Sequence, residues 1–190
     1  AAVTLLALRR LWNANISDDR LLQLAMRLGS DVPLFLMGGT LLGTGRGEVI
    51  EPLPNAAIGP MIIVTPDEFV STKDAFKELN ALALTSESEK RILKICRSAA
   101  GGGLAAIAND FEISVFARHP EISRVKTRLV ELGAQTAALS GSGASVFGIF
   151  DRQETRQAAL KALDSEVNWR KFAVAAISRE QYREALRQVF

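Results

Sequence analysis

AQTAALSGSGASVFGIF, residues 134–150, decides the fold because the hydrophobic period changes where it begins. Just upstream, a helix is predicted from about Pro120, with Ile122, Val125, Leu129 and Leu132 on one face and a stop at Gly133. From Ala134 the pattern is that of two strands, AQTAALSG and ASVFGIF, joined by a glycine turn. Downstream, ETRQAALKALDSE reads as a helix, KFAVAAIS as a strand and REQYREALRQVF as a closing helix. Upstream, MIIVTP (61–66) reads as a strand followed by helices over about Thr72–Leu84, Ser86–Ala99 and Asn109–Arg118. Ser86 and Glu89 form a capping-box pattern, and GGG at Gly101–Gly103 separates two of these helices. The order strand, helices, two strands, helix, strand predicts an α+β domain whose antiparallel sheet is covered on one face by helices.

The N-terminal part is organised differently. AAVTLLALRRLW has the composition of a buried helix, with Val3, Leu5, Leu6, Leu8 and Leu11 among few polar residues. It has no Ser, Thr, Asp or Asn to cap it, so the expectation is a chain cut inside a larger protein. The next helix is capped by Ser17 or Asp18, carries Leu21, Leu24, Ala25 and Leu28, and is expected to end at a left-handed Gly29. Thr40–Gly43 and Glu48–Leu53 look like strands joined around GTGRG, and Pro52, Pro54 and Pro60 mark an irregular link. That link places a domain boundary between residues 57 and 58, giving domains 1–57 and 58–190.

Composition narrows the function classes. The 190 residues are 48% hydrophobic and 23% charged, which speaks for an ordinary globular core and against disorder. Lys and Arg (23) nearly balance Asp and Glu (21), and the basic residues are scattered, so nucleic acid and membrane surfaces are poor partners. The single cysteine, Cys96, forms no internal disulfide and reads as a buried thiol in a reducing, cytoplasmic compartment. With one histidine, His119, a Cys/His metal cluster or a Ser-His-Asp triad has no support, and no metal ligands are assigned. No apolar run reaches the length of a membrane span, and no leader pattern precedes the first helix.

Several short motifs carry two readings each. Asp31, in GSDVPLF, either caps the short helix that Val32 and Pro33 begin or is a carboxylate fixed at a helix N-terminus to accept a hydroxyl proton. GTGRG (43–47) lacks both the helix of a dinucleotide fingerprint and the Gly-Lys-Ser/Thr ending of a P-loop, and reads as a hairpin turn with Arg46 available to an anion. SGSG (140–143) is either a plain turn or a concavity of backbone N–H groups suited to a phosphate or carbonyl. In VSTKDAF (70–76), Ser71 or Thr72 caps a helix with a core aromatic, or Thr72 and Phe76 present a hydroxyl and a ring to a planar base. NDFE (109–112) reads as a helix cap and His119 as a loop residue.

GSDVPLFLMGGTLLGTGRGE, VSTKDAF, NDFE and ALSGSGASVFGIF, in this order and at these intervals, resemble the 4-diphosphocytidyl-2-C-methyl-D-erythritol kinases, a family of the GHMP kinase superfamily. The resemblance covers essentially the whole chain and implies the C-terminal two-thirds of such a kinase: the end of its N-terminal, ATP-binding domain over 1–57 and its C-terminal domain over 58–190. It implies transfer of the γ-phosphoryl of ATP, as the Mg2+ complex, to the 2-hydroxyl of a cytidine diphosphate-bearing sugar alcohol in non-mevalonate isoprenoid precursor synthesis. By the same resemblance Asp31 is the catalytic acid/base, Thr72 and Phe76 fall at the cytidine pocket, and Gly141, Ser142 and Gly143 form a conserved glycine loop. The family's ATP-cradling loop and the lysine that partners its aspartate lie upstream of the residues matched here, so no residue of this chain takes either role. The competing readings are another GHMP small-molecule kinase and a noncatalytic binding domain that keeps the fold.

Overall fold

A computed structural model of the chain describes residues 1–45, 49–78 and 109–189. They form two compact units. The first comprises the described residues of 1–57 together with 177–189, and the second those of 58–176.

In the first unit, α1 (Ala2–Leu11), α2 (Asp18–Leu28) and α3 (Leu34–Met37) precede an antiparallel hairpin of β1 (Leu41–Thr44) and β2 (Val49–Pro52). Ser17 caps α2, its hydroxyl accepting the Arg20 N–H at 3.2 Å. Two expectations are corrected here. Gly29 is not left-handed but extended (φ 163°, ψ 154°), because the turn that follows, closed by Val32 N–H on Gly29 C=O, redirects the chain without a reversal at the glycine. The first helix buries only Ala2, while Val3 and Leu11 are exposed. One side of α1 meets α2 and α3, and composition alone does not say which residues fall on that side.

The closing helix, labelled α8 once the second unit is counted (Arg179–Val189), belongs to the first unit and is fixed by polar groups. The Arg179 guanidinium donates to the carbonyls of Gly38 (3.1 Å), Thr40 (2.7 Å) and Leu53 (3.0 Å), and the Tyr182 hydroxyl donates to Phe35 C=O at 2.6 Å. This approach requires glycine at the bend. Gly38 and Gly39 have φ of +68° and +75°, and a Cβ on Gly38 would enter the Tyr182 ring.

In the second unit, β3 (Met61–Pro66) leads to α4 (Thr72–Glu78), then α5 (Phe111–Arg118) and α6 (Pro120–Glu131). The hairpin β4 (Thr136–Leu139) and β5 (Val146–Ile149) follows, then α7 (Gln153–Ala162), a 3-10 turn (Leu163–Ser165) and β6 (Trp169–Val174). The strands form one sheet in the order β4-β5-β3-β6 with every pair antiparallel, which is the α+β architecture expected from the sequence. Ile62 and Val64 of β3 and Ile122, Val125 and Leu129 of α6 are fully buried, so the strand period of two meets the helix period of 3.6 in one core with Val115, Phe150, Leu163 and Trp169.

At the rim of this core, Arg124 forks onto Glu121 (2.7 and 2.9 Å) and Glu166 (2.8 and 2.9 Å) and lies 4.3 Å over the Trp169 ring. Hydrogen bonds from Arg124 hold both carboxyls below their ordinary value. Trp169 Nε1 donates to Glu121 at 2.8 Å, so its buried indole has a partner.

The expected helix Ser86–Ala99, the residues beyond Glu78 of the helix expected to reach Leu84, Cys96, Gly101–Gly103 and Arg46 lie outside the described residues. Among the described residues no helix is long and apolar enough to cross a membrane.

Candidate active site

Residues singled out in the sequence fall in both units. In the second, α4 and the β4–β5 turn come together. Ser71 takes the cap, its hydroxyl and carbonyl accepting the Asp74 N–H at 3.3 and 3.0 Å. Ser71 and Lys77 also hold the exposed Asp74 carboxyl below its ordinary value. With the cap filled, the Thr72 hydroxyl is available and pairs with the Ser142 hydroxyl of the glycine loop at 2.9 Å. Phe76, one turn further on, is 62% exposed, so it is not a core aromatic. It meets the Phe111 ring edge-on, with centroids 4.9 Å apart, which orients its ring while leaving most of it open to a ligand.

The glycine loop is a tight turn. Gly143 N–H closes it on Ser140 C=O at 3.1 Å, and Ser140 N–H donates to Ser145 C=O at 2.8 Å. Gly141 and Gly143 have φ of +59° and +99°, and a Cβ on Gly143 would press on Val70 at 3.3 Å. Among the described residues no acceptor meets the N–H of Gly141 or Ser142, so two adjacent donors remain for a phosphate or carbonyl oxygen.

Sequence reasoning missed half of NDFE. The cap-like bond is present, with Asn109 Oδ1 accepting the Phe111 N–H at 3.0 Å. The side-chain amide also donates to Leu139 C=O and Gly141 C=O, both at 2.8 Å, and Glu112 accepts the Leu139 N–H at 2.9 Å. Leu139 and Gly141 lie some thirty residues further along the chain, so local pattern carries no signal of these bonds. His119 stands at the α5–α6 junction as expected and is tied there by Nδ1 to Glu68 of the segment preceding α4, at 2.6 Å.

Asp31 lies in the first unit, exposed in the turn at Ser30–Pro33 between α2 and α3. The capping reading is not realised, since α3 begins at Leu34 behind Pro33 and receives no side-chain cap. The helix that was to fix the carboxylate is a single turn, so it brings little of a longer helix's dipole to that end. Among the described residues no partner binds the Asp31 carboxylate, and no group of three metal-ligating side chains occurs.

Comparison with known proteins gives the family of the chain. The family description "GHMP kinases C terminal" matches residues 74–168 and "GHMP kinases N terminal domain" matches residues 1–39. The 4-diphosphocytidyl-2-C-methyl-D-erythritol kinase of Solibacter usitatus is 35% identical across 99% of this chain and 60% of its own length. That of Thermodesulfovibrio yellowstonii is 37% identical across 85% of this chain and 59% of its own. The chain thus spans about 60% of the length of these curated relatives. A crystal structure of a 4-(cytidine 5'-diphospho)-2C-methyl-D-erythritol kinase superposes with a TM-score of 0.67 at 30% identity, covering 91% of this chain and 62% of that one. With the C-terminal description matching half of its residues and the N-terminal one matching its start, the chain belongs to the GHMP kinases.

Proposed function

We propose that the protein to which this chain belongs transfers the γ-phosphoryl of ATP to the 2-hydroxyl of 4-diphosphocytidyl-2-C-methyl-D-erythritol, a step toward isoprenoid precursors by the non-mevalonate route. The observation that carries the reading is the docking of Thr72 on Ser142 beside the open ring of Phe76. This sets a hydroxyl and an aromatic face, suited to a cytosine base, next to a turn whose free N–H groups suit a phosphate. The identity of 35% and 37% to kinases of that name supports the same substrate.

In this reading residues 1–57, the unit that α8 rejoins, are the end of an ATP-binding domain, and a C-terminal domain begins at residue 58. Asp31 accepts the proton of the 2-hydroxyl as its oxygen attacks phosphorus and the bond to the departing ADP breaks. Thr72 and Phe76 hold cytidine, and the Gly141–Gly143 backbone steadies phosphate oxygens. ATP would enter as its Mg2+ complex, and the metal would supply neutralisation of the phosphate charge.

The test is phosphotransfer by the full-length protein, offered the cytidylyl substrate, homoserine and mevalonate in turn. Turnover of the first alone is expected. Turnover of either of the others in its place would reassign the substrate, and no turnover of any would favour a binding domain. Asp31→Asn is expected to lower kcat by about 10²-fold or more, the loss typical of a positioned base, and an unchanged kcat would remove Asp31 from the chemistry. Phe76→Ala is expected to raise KM for the cytidylyl substrate by about 10-fold or more and leave KM for ATP nearly unchanged, because stacking one base is worth roughly 1–3 kcal/mol.

A further inference from the structure

A turn of two glycines and two serines does not hold its own shape. Glycine loses more conformational freedom on ordering than any other residue, so a loop with two of them in left-handed backbone needs an outside restraint. The internal bonds of this turn, Gly143 N–H to Ser140 C=O and Ser140 N–H to Ser145 C=O, fix its width but leave Gly141 unrestrained. The restraint on Gly141 comes from a residue distant in sequence. Asn109 Nδ2 donates one hydrogen to Leu139 C=O and the other to Gly141 C=O, each at 2.8 Å, and so clamps the chain on both sides of Ser140.

The orientation of the amide is determined by its neighbours. One flank holds an N–H that needs an acceptor, Phe111 at 3.0 Å, and the other holds two carbonyls that need donors. Only the arrangement with Oδ1 toward Phe111 satisfies all three. A helix start would need the oxygen alone, and Ser, Thr or Asp would supply it equally well. The two donors are what distinguish asparagine, and both go to the glycine loop. Ser142, the residue after Gly141, then meets Thr72 at 2.9 Å.

We propose that Asn109 is a positioning residue: its amide sets the conformation of the Ser140–Gly143 loop and thereby the register of Ser142 against Thr72. The inference rests on the proposed kinase function for its kinetic readout, though not for its structural one. Asn109 spends its amide on the Leu139 and Gly141 carbonyls and on the Phe111 N–H, so its proposed influence on turnover is exerted through the loop it clamps. Glu112, which binds the other side of Leu139 through its N–H and pairs with Lys126 at 2.6 Å, is the internal control. It holds the end of β4 without touching Gly141.

The experiment compares Asn109→Asp, Ser142→Ala, their double variant and Glu112→Gln in the full-length protein. Asp keeps the acceptor for Phe111 N–H but turns a carboxylate oxygen toward two carbonyls. Asn109→Asp is expected to lower kcat/KM for the cytidylyl substrate by about 10-fold or more. Adding Ser142→Ala should then cost less than about twofold further, because the two residues act through one loop. Glu112→Gln should lower the thermal midpoint while leaving kcat/KM within about twofold of wild type. A kcat/KM within twofold of wild type for Asn109→Asp, or losses that multiply in the double variant, overturns the proposal. Asn109→Ser, which also keeps the acceptor, replaces Asn109→Asp if the latter does not fold, and failure of both to fold makes Asn109 a determinant of the fold and overturns the positioning role. Amide exchange gives a readout independent of turnover. The Gly143 N–H should exchange about 10-fold faster in the variant while amides within β5 keep their rates, and unchanged Gly143 exchange overturns the proposal. If the wild-type protein shows no phosphotransfer, the kinase reading fails and the exchange result alone decides the role of Asn109.

Discussion

The two units are held together by different physics. The second is organised around side chains removed from water: Ile62, Val64, Ile122, Val125, Leu129, Phe150 and Leu163 are all fully buried between one sheet and the helices on it. Among its described residues the first buries Ala2, Leu21, Ala25, Pro33, Leu42 and Leu53, a shorter set, and relies on α8 presenting Arg179 and Tyr182 to backbone carbonyls. Apolar burial is non-directional and tolerates modest repacking, whereas a guanidinium serving three carbonyls depends on geometry and leaves all three wanting when it is removed. The clamp of Asn109 on the glycine loop shows that the second unit also uses the directional device, there at one loop rather than through its body.

The contrast can be broken most forcefully at Leu129. Leu129→Ala removes a fully buried side chain from the sheet–helix interface and is expected to cost about 2–5 kcal/mol in denaturant unfolding followed by the fluorescence of buried Trp169. A loss below about 1 kcal/mol would mean that the second unit is not core-dominated. Next comes Arg179→Met, which keeps much of the side chain's bulk and removes its donors. Since hydrogen bonds to charged groups contribute about 1.5–3 kcal/mol, a loss of roughly that size is expected, seen as faster amide exchange in β1 and β2 with β3 and β5 unaffected. Equal protection in the variant would return the first unit to ordinary apolar packing.

The smallest effect sharpens the comparison through pH. Arg124 holds the Glu166 carboxyl below its ordinary value of 4.5 in the folded state, so the pair's stabilisation is present above that value and fades as pH falls through the lowered folded-state value. Glu166→Gln should therefore flatten the acid limb of the stability profile and change stability by less than about 1 kcal/mol near neutrality, because Arg124 is about half exposed. An acid limb as steep as that of the wild type would remove this pair from the account.

What the sequence disclosed follows the same division. α6 and the β4–β5 hairpin were legible because their core residues recur at 3.6 and 2.0, and burial in the second unit is what such periods encode. The helix at VSTKDAF was legible too, though only the structure shows that Ser71 takes the cap and leaves Thr72 for Ser142. The first helix was misjudged because composition gives the amount of apolar surface and not the side that is covered. Arg179 had no signal at all: it lies about 140 residues from Gly38 and Thr40, and backbone carbonyls have no sequence identity to match. Asn109 was half legible, its oxygen serving a local helix start and its nitrogen a loop brought close only by folding.

The strand order has a consequence for concentrated solution. Among the described residues the sheet ends in β4 on one side and β6 on the other, the two positions at which a strand of a neighbouring molecule could add. At β4, the side chains of Asn109 and Glu112 occupy the carbonyl and the N–H of Leu139, so an incoming strand would have to displace two good bonds before making its own. In β6, Arg170 is exposed and the ammonium of the neighbouring Lys171 is tied to the carbonyls of Leu163 and Glu166, so the strand carries two adjacent positive charges. Asn109 and Glu112, which brace the end of β4, thereby use up two of the main-chain groups that a strand from a second molecule would need.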